Sequence, residues 1–301
     1  MWRSPRRIEI ALPALAVVLG GIAIGVAQTV PGAEFDVASI KPNIDGGPRR
    51  YQGERSPGTF VGENVTLENL IETAYSTRPW IQNVNVPSQG FRIFGAPDWM
   101  SSDCYDVTAK WNPGPPGASR TMESLEKSQA RVRLMLQNLL AQRFQLKLHH
   151  ETRDLPVYDL IVAKGGSKLK QGSCVPLDPN NLPQRPTADF CGTSRLGRVG
   201  VDWTLDGKGM SMDDLAGALS FLLNSRPVID KTGFTRAFDA HLRWTPGPGE
   251  FGAPNGITPA GEENSGSIFD ILPQQLGLEL KPGKGPVDVL VIDHVERPSA
   301  N

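Results

Sequence analysis

Residues 209–244 read GMSMDDLAGALSFLLNSRPVIDKTGFTRAFDAHLRW, and the same succession occurs upstream, from NVTLENLIETAY at 64–75 to YDVTAKW at 105–111. Val65-Thr66-Leu67-Glu68-Asn69-Leu70 aligns with Met210-Ser211-Met212-Asp213-Asp214-Leu215. Tyr105-Asp106 followed by Trp111 aligns with Phe238-Asp239 followed by Trp244. Further on, LAQRFQLKL at 140–148 aligns with LPQQLGLEL at 272–280, and Pro156-Val157 with Pro286-Val287. Chance gives one such match; an ordered series implies a tandem duplication. The expected architecture is α+β, with two pseudo-symmetric repeats at 35–166 and 196–301. Each repeat is expected to be a mainly antiparallel sheet with two helices on one face. Packing one against the other buries more surface per residue than either half alone.

The elements follow from periodicity. Residues 35–40 alternate apolar and polar and predict a strand; 46–57 form a polar loop; 59–61 make a short strand. Thr66 is placed to cap a helix whose stripe is Leu67, Leu70, Ile71, Ala74 and Tyr75, ended by Pro79. Strands are expected at 91–94 and 105–111, then a helix at 122–143 with Val132, Met135, Leu136, Leu139 and Leu140 inward. Residues 144–149 alternate cleanly, so the polar run HHETRD at 149–154 reads as a turn and 157–163 as the returning strand. In the second repeat a strand at 199–205 precedes a helix with a capping box of Ser211 and Asp214. Its stripe is Met212, Leu215, Ala216, Leu219, Leu222 and Leu223. Strands at 228–229 and 238–244 follow. The last helix starts at Ser267 and Asp270 and contains Pro273, which shortens or kinks it. A final hairpin is expected at 276–280 and 287–292.

Bulk properties bound the function. A net charge of -1 carries no basic footprint, so no nucleic-acid partner is expected. Arg3, Arg6 and Arg7 precede an uncharged run at 10–27 that ends in Gly25-Val26-Ala27. This is an export layout, with Gln28 as the first mature residue if the leader is removed. An uncleaved inner-membrane anchor is the alternative for residues 1–27; both place the body outside the cytoplasm, periplasmic or extracellular. Cys174 and Cys191 flank a Pro/Asn-rich segment in a linker at 167–195, placed to form a disulfide in an oxidising compartment. Cys104 is left over and reads as a buried free thiol.

No nucleophile elbow, zincin, P-loop or dinucleotide-binding motif occurs, and the sequence gives no catalytic residue and implies no cofactor. A metal set of His149, Glu151 and His294 is the alternative reading, formed if the ends of the two repeats meet. The blander assignment, solvated strand-end residues, outweighs it. Asp106 and Asp239 are repeat-related and would form a carboxylate dyad if they faced each other, but turn-amide binding is commoner for Asp. Trp111 and Trp244 read as core or sheet-edge packing rather than ligand stacking.

The stretches FDVASIKPN (35–43), NVTLENLIETAY (64–75), GAPDWMSSDCYDVTAKW (95–111), LLAQRFQLKLHHETRDLPVYDLIVAKGG (139–166), RPVIDKTGFTRAFDAHLRWTP (226–246) and GPVDVLVIDHVERPS (285–299) resemble a large soil-associated bacterial family of exported proteins of unknown function. Some relatives look fused to antirepressor-type membrane metallopeptidases. The resemblance implies an exported stand-alone domain and supplies no catalytic residues. The chain departs from the family pattern at Cys104, where a basic residue is commoner, and at Pro273. The expectation is a binding or sensory module of the cell envelope, with another envelope protein or an extracellular ligand as partner. The rival is a secreted metal-dependent hydrolase using the strand-end histidines.

Overall fold

The computed structural model describes residues 33–44, 51–76, 92–114, 121–183, 189–223, 226–247, 250 and 265–298. The leader or anchor at 1–27 and the helix stop at Pro79 lie outside them. In the first half, strands β1 (Val37–Asn43), β2 (Tyr51–Ser56) and β3 (Thr59–Thr66) lead into helix α1 (Leu67–Tyr75). β4 (Arg92–Phe94), a short helix α2 (Trp99–Ser102), β5 (Cys104–Lys110), α3 (Met122–Phe144) and β6 (Lys147–Val162) follow. The second half comprises β7 (Lys170–Gln171), β8 (Thr193–Val199), β9 (Asp202–Met210), α4 (Met212–Leu222), β10 (Val228–Asp230), β11 (Phe238–Trp244), α5 (Ile268–Gln275) and β12 (Leu278–His294).

The class is α+β, in three four-stranded sheets ordered β1-β5-β3-β2, β10-β6-β12-β4 and β7-β11-β9-β8. The two outer sheets are antiparallel throughout. In each, a hairpin that runs into a helix (β2-β3, β8-β9) takes one side, and the second strand after that helix (β5, β11) pairs beside it. The capping boxes that start those helices are formed: Asn69 N donates to Thr66 Oγ1 at 3.2 Å and Asp214 N to Ser211 Oγ at 3.1 Å. Side chains that follow each cap at helical spacing bury a common face, led by Leu67, Leu70 and Ile71 in α1 and Leu215 and Leu219 in α4.

The middle sheet corrects the sequence reading. HHETRD is no turn: β6 runs unbroken from Lys147 to Val162, and β12 runs likewise through KPGKGP. Each expected hairpin is one long strand, and the two strands pair antiparallel along their whole length, from Leu278↔Val162 to Ile292↔Leu148. The polar run marks where the ribbon leaves both cores and meets solvent, so His150, Glu151 and Thr152 are exposed. Gly285 fits the same ribbon because a β-carbon there would come within 2.9 Å of Ile229 Cδ1. β4 and β10 flank the ribbon in parallel, on β12 and β6 respectively.

The ribbon interlocks the halves. The first core gathers α1, α3 and β5 residues such as Leu70, Leu136 and Tyr105, and it includes Leu148 from β6 with Leu290 and Ile292 from β12. The second core gathers Leu215, Phe238 and Leu272 with Leu278 and Leu280, and it includes Leu160, which β6 carries over from the first half. Trp111 and Trp244 are core residues of the first and second clusters.

Four further differences have local causes. The loop expected at 46–57 contains β2, a polar edge strand without apolar alternation; the Gln52 amide nitrogen donates to Asn69 O and Thr73 Oγ1 instead. The strand expected at 199–205 is a hairpin, β8 and β9, turning at Gly200 with φ 63°. Between the strands expected at 91–94 and 105–111 lies α2, which buries Met100. Cys104 is half-buried rather than buried, its thiol facing Ser102 O.

Candidate functional site

Strand alternation on the third sheet builds the site. Along β11, Phe238, Ala240, Leu242 and Trp244 point into the second core, which leaves Asp239, His241 and Arg243 on the opposite face. β9 sets Asp206 directly opposite His241, and β8 sets Arg195 directly opposite Asp206. On the other edge β7 sets Lys170 opposite Asp239. Asp239, His241, Asp206, Arg195 and Lys170, together with Lys168, Ser173, Asp189, Lys208 and the end of α5 at Gln275, line an open groove of about 870 Å³.

Asp239 is the hub of the groove. Its Oδ2 accepts from Lys208 Nζ at 2.8 Å and from Ser173 Oγ and N at 2.9 and 3.2 Å; its Oδ1 accepts from Gly209 N at 3.0 Å. Burial alone would raise its pKa, but the lysine and these hydrogen bonds outweigh it and hold the carboxyl down at about 2. Gly209 lies in a bulge where φ is 54°, and a β-carbon there would collide with Cys174 Sγ. The Cys174–Cys191 disulfide is formed, as expected, and braces this end of the groove from beneath Gly209.

Beside the groove, Asp202 is fully buried and receives Arg243 Nε at 2.7 Å, Thr245 Oγ1 at 2.5 Å and Ser265 Oγ at 2.6 Å. Burial raises its pKa; the bonds from Ser265, Thr245 and Arg243 outweigh that and keep it below the ordinary aspartate value. This network ties Thr245 and Ser265 to Asp202 and Arg243 on the third sheet.

The carboxylate dyad is not formed. Asp106 belongs to the first sheet and Asp239 to the third. Asp106 Oδ1 accepts from Asn64 N at 2.9 Å and Asn43 Nδ2 at 3.0 Å. Both aspartates thus answer the amide of a left-handed residue, Asn64 at φ 53° and Gly209 at φ 54°, two positions before a helix cap. Left-handed bulge residues turn their N–H out of the ladder, and a carboxylate on the next strand satisfies it. The aromatic-Asp-x4-Trp pattern is therefore explained by folding in both halves.

The histidine set is also dispersed. β6 and β12 do meet, yet His149 Nδ1 faces Asp293 at 2.9 Å, Glu151 accepts from Arg153 at 2.7 Å and His294 Nε2 faces Glu296 at 3.0 Å. The register sets Val291, not an acid or a second histidine, opposite His149, and Lys147 opposite His294. Among the described residues no group of three His, Cys, Asp or Glu side chains is arranged to hold a metal. His150 and His241 face Asp288 at 3.1 Å and Asp206 at 2.5 Å.

Sequence reasoning named Asp239 but missed Lys168, Lys170, Arg195, Asp206, Lys208 and His241 as a set. The available signal was the outward alternation Asp239, His241, Arg243 in FDAHLRW. The opposite strands were not separable, because the turn at Gly200 was read as the start of one strand. No helix among the described residues is long and apolar enough to cross a membrane.

Residues 68–295 match the sequence model of a family described as "Protein of unknown function (DUF3738)". No match is found among curated proteins or among solved structures.

Proposed function

The chain belongs to the DUF3738 family, whose function is unknown, and from that premise we propose that it is an exported binding module of the cell envelope that works through the groove on the third sheet. One observation carries the reading: the groove is large and polar, and its central ionisable groups are held in fixed pairs, Lys208 with Asp239 and His241 with Asp206. Such pairing presents a set recognition surface. His241 meets Asp206 through Nδ1, and no serine or threonine hydroxyl hydrogen-bonds to it among the described residues, which fits a contact role for His241. A concave site with a few convergent polar groups is the usual form of a ligand pocket. Export is supported by the Cys174–Cys191 disulfide, since such bonds persist in oxidising compartments.

The same reading takes the halves as tandem repeats. Supporting it are the matched outer-sheet orders, the matched caps Thr66 and Ser211, and the matched left-handed residues Asn64 and Gly209. Superposing residues 57–164 on 199–295 tests it.

The binding role is tested by thermal unfolding of the purified chain with small-molecule fractions of the producing cell's envelope. A fraction that raises the melting temperature of the wild type, but not of Lys208→Ala or His241→Ala, supports it. Turnover of chromogenic ester, glycoside or peptide substrates that is lost in His241→Ala overturns it in favour of an enzyme. N-terminal sequencing of exported material, beginning near Gln28, tests the leader.

A further inference from the structure

Resting on the reading of this groove as a binding site, we infer that its ligand is a short acidic peptide laid across the strands, with carboxylates docked at Lys170 and Arg195.

The charge pattern carries the argument. Two of the groove's carboxylates are already engaged: Asp239 accepts four hydrogen bonds, and Asp206 faces His241. Three of its four Lys and Arg side chains are not. Lys168 donates only to the neutral carbonyl of Gln274, and no ion pair joins Lys168, Lys170 or Arg195 to a carboxylate among the described residues. With His241 neutral, four Lys and Arg side chains face three aspartates, Asp189, Asp206 and Asp239, so the lining keeps one positive charge to offer an anion. An Arg at such a position presents a planar donor fork suited to a carboxylate.

Spacing selects an elongated ligand. Lys170 is on β7 and Arg195 on β8, the two edges of a sheet ordered β7-β11-β9-β8. Three strand spacings separate them across the sheet, about 14 Å at about 4.8 Å each, and a two-residue offset along β11 brings the separation to about 16 Å. One carboxylate cannot reach both. An extended peptide rises about 3.3 Å per residue, so about five residues span the distance.

The lining selects a peptide over an acidic sugar. Among the described residues it contains no Trp, Tyr or Phe to stack on a pyranose face. It does offer Gln171, whose amide both donates and accepts, and the Ser173 hydroxyl oxygen, which donates to Asp239 and keeps lone pairs to accept from a peptide amide.

The experiment is isothermal titration of the full chain with N-acetyl-pentaglutamate amide, with pentaglutamine and pentagalacturonate as comparison probes. Pentaglutamate should bind, weaken as salt rises, and lose about tenfold or more in affinity in Lys170→Glu and again in Arg195→Glu, as expected for loss of a charge-assisted hydrogen bond. Lys284→Glu, on the exposed ribbon outside the groove, should bind as the wild type does. Near-UV circular dichroism checks that each variant keeps its fold. No binding of pentaglutamate, equal binding of pentaglutamine, or insensitivity to both groove variants overturns the inference. Tighter binding of pentagalacturonate also overturns it. A neutral or cationic ligand found in the groove by the thermal-unfolding search would sink the acidic-peptide assignment while leaving the binding role intact; histidine-dependent turnover would sink the role itself.

Discussion

At Asp239, local geometry becomes a pH dependence. The folded carboxyl titrates at about 2, against about 3.9 for an unfolded aspartate. A depressed folded value means that the contribution is fully present above the unfolded pKa and is lost as pH falls through the folded one. The stabilisation should therefore fade between about pH 4 and pH 2, and it is on the order of 1 kcal/mol after allowance for solvent screening. Asp239→Asn should flatten the acid limb of the unfolding profile in that window; an unchanged slope contradicts the assignment. Gly209 is constrained from two sides, by a φ of 54° and by Cys174 Sγ where a β-carbon would sit. Gly209→Ala should destabilise by about 2 kcal/mol or more, read by denaturant melts. Asn64 holds the matching conformation in the first half, a placement that asparagine tolerates better than most residues.

Among the elements, the disulfide and the two long strands matter most. Cys174 and Cys191 are 17 residues apart and close a loop whose two ends adjoin Ser173 and Thr193, both in the groove lining. Cys174→Ser should cost about 3 kcal/mol by loop-closure entropy, measured as a fall in the denaturation midpoint against the oxidised wild type. It should also raise the apparent pKa of Asp239, because Ser173 would no longer be held against the carboxylate. β6 and β12 show why turn signals misled. Polar and Pro/Gly-rich runs indicate an absence of apolar neighbours, and both chain reversals and uncovered strands have that property. β2 was illegible for the same reason, since its Gln52 is held by polar contacts to α1.

For the whole molecule, the interlock predicts cooperativity. Leu160 from the first half completes the second core, and Leu290 and Ile292 from the second half complete the first. Neither core is finished without the other half's strand. Leu70→Ala and Leu215→Ala, 1% and 0% exposed in the two cores, should each destabilise by about 2–5 kcal/mol. Calorimetry should show one transition shifted by either substitution. Two transitions, each moved by one variant alone, would show that the halves unfold independently and that the ribbon does not couple them.

The sequence by itself determined the elements with a dense periodic signal. Helices with a cap and an apolar stripe, as after Thr66 and Ser211, and strands with strict alternation, as in YDVTAKW and FDAHLRW, are specified by local physics. The α+β class was legible on that basis, whereas the Cys174–Cys191 bond was an expectation from the export layout and the Pro/Asn-rich segment between the two. What tertiary structure decided depends on partners distant in the chain. Only the pairing of β6 with β12 shows that HHETRD continues a strand, because a solvated ribbon and a turn have the same composition. Only the sheet order brings Lys170, Arg195 and His241 to one groove, because each lies on a different strand and a strand's own alternation fixes a residue's face but not its neighbours. The dispersal of His149, Glu151 and His294 follows likewise from register, which set valines and a lysine opposite them.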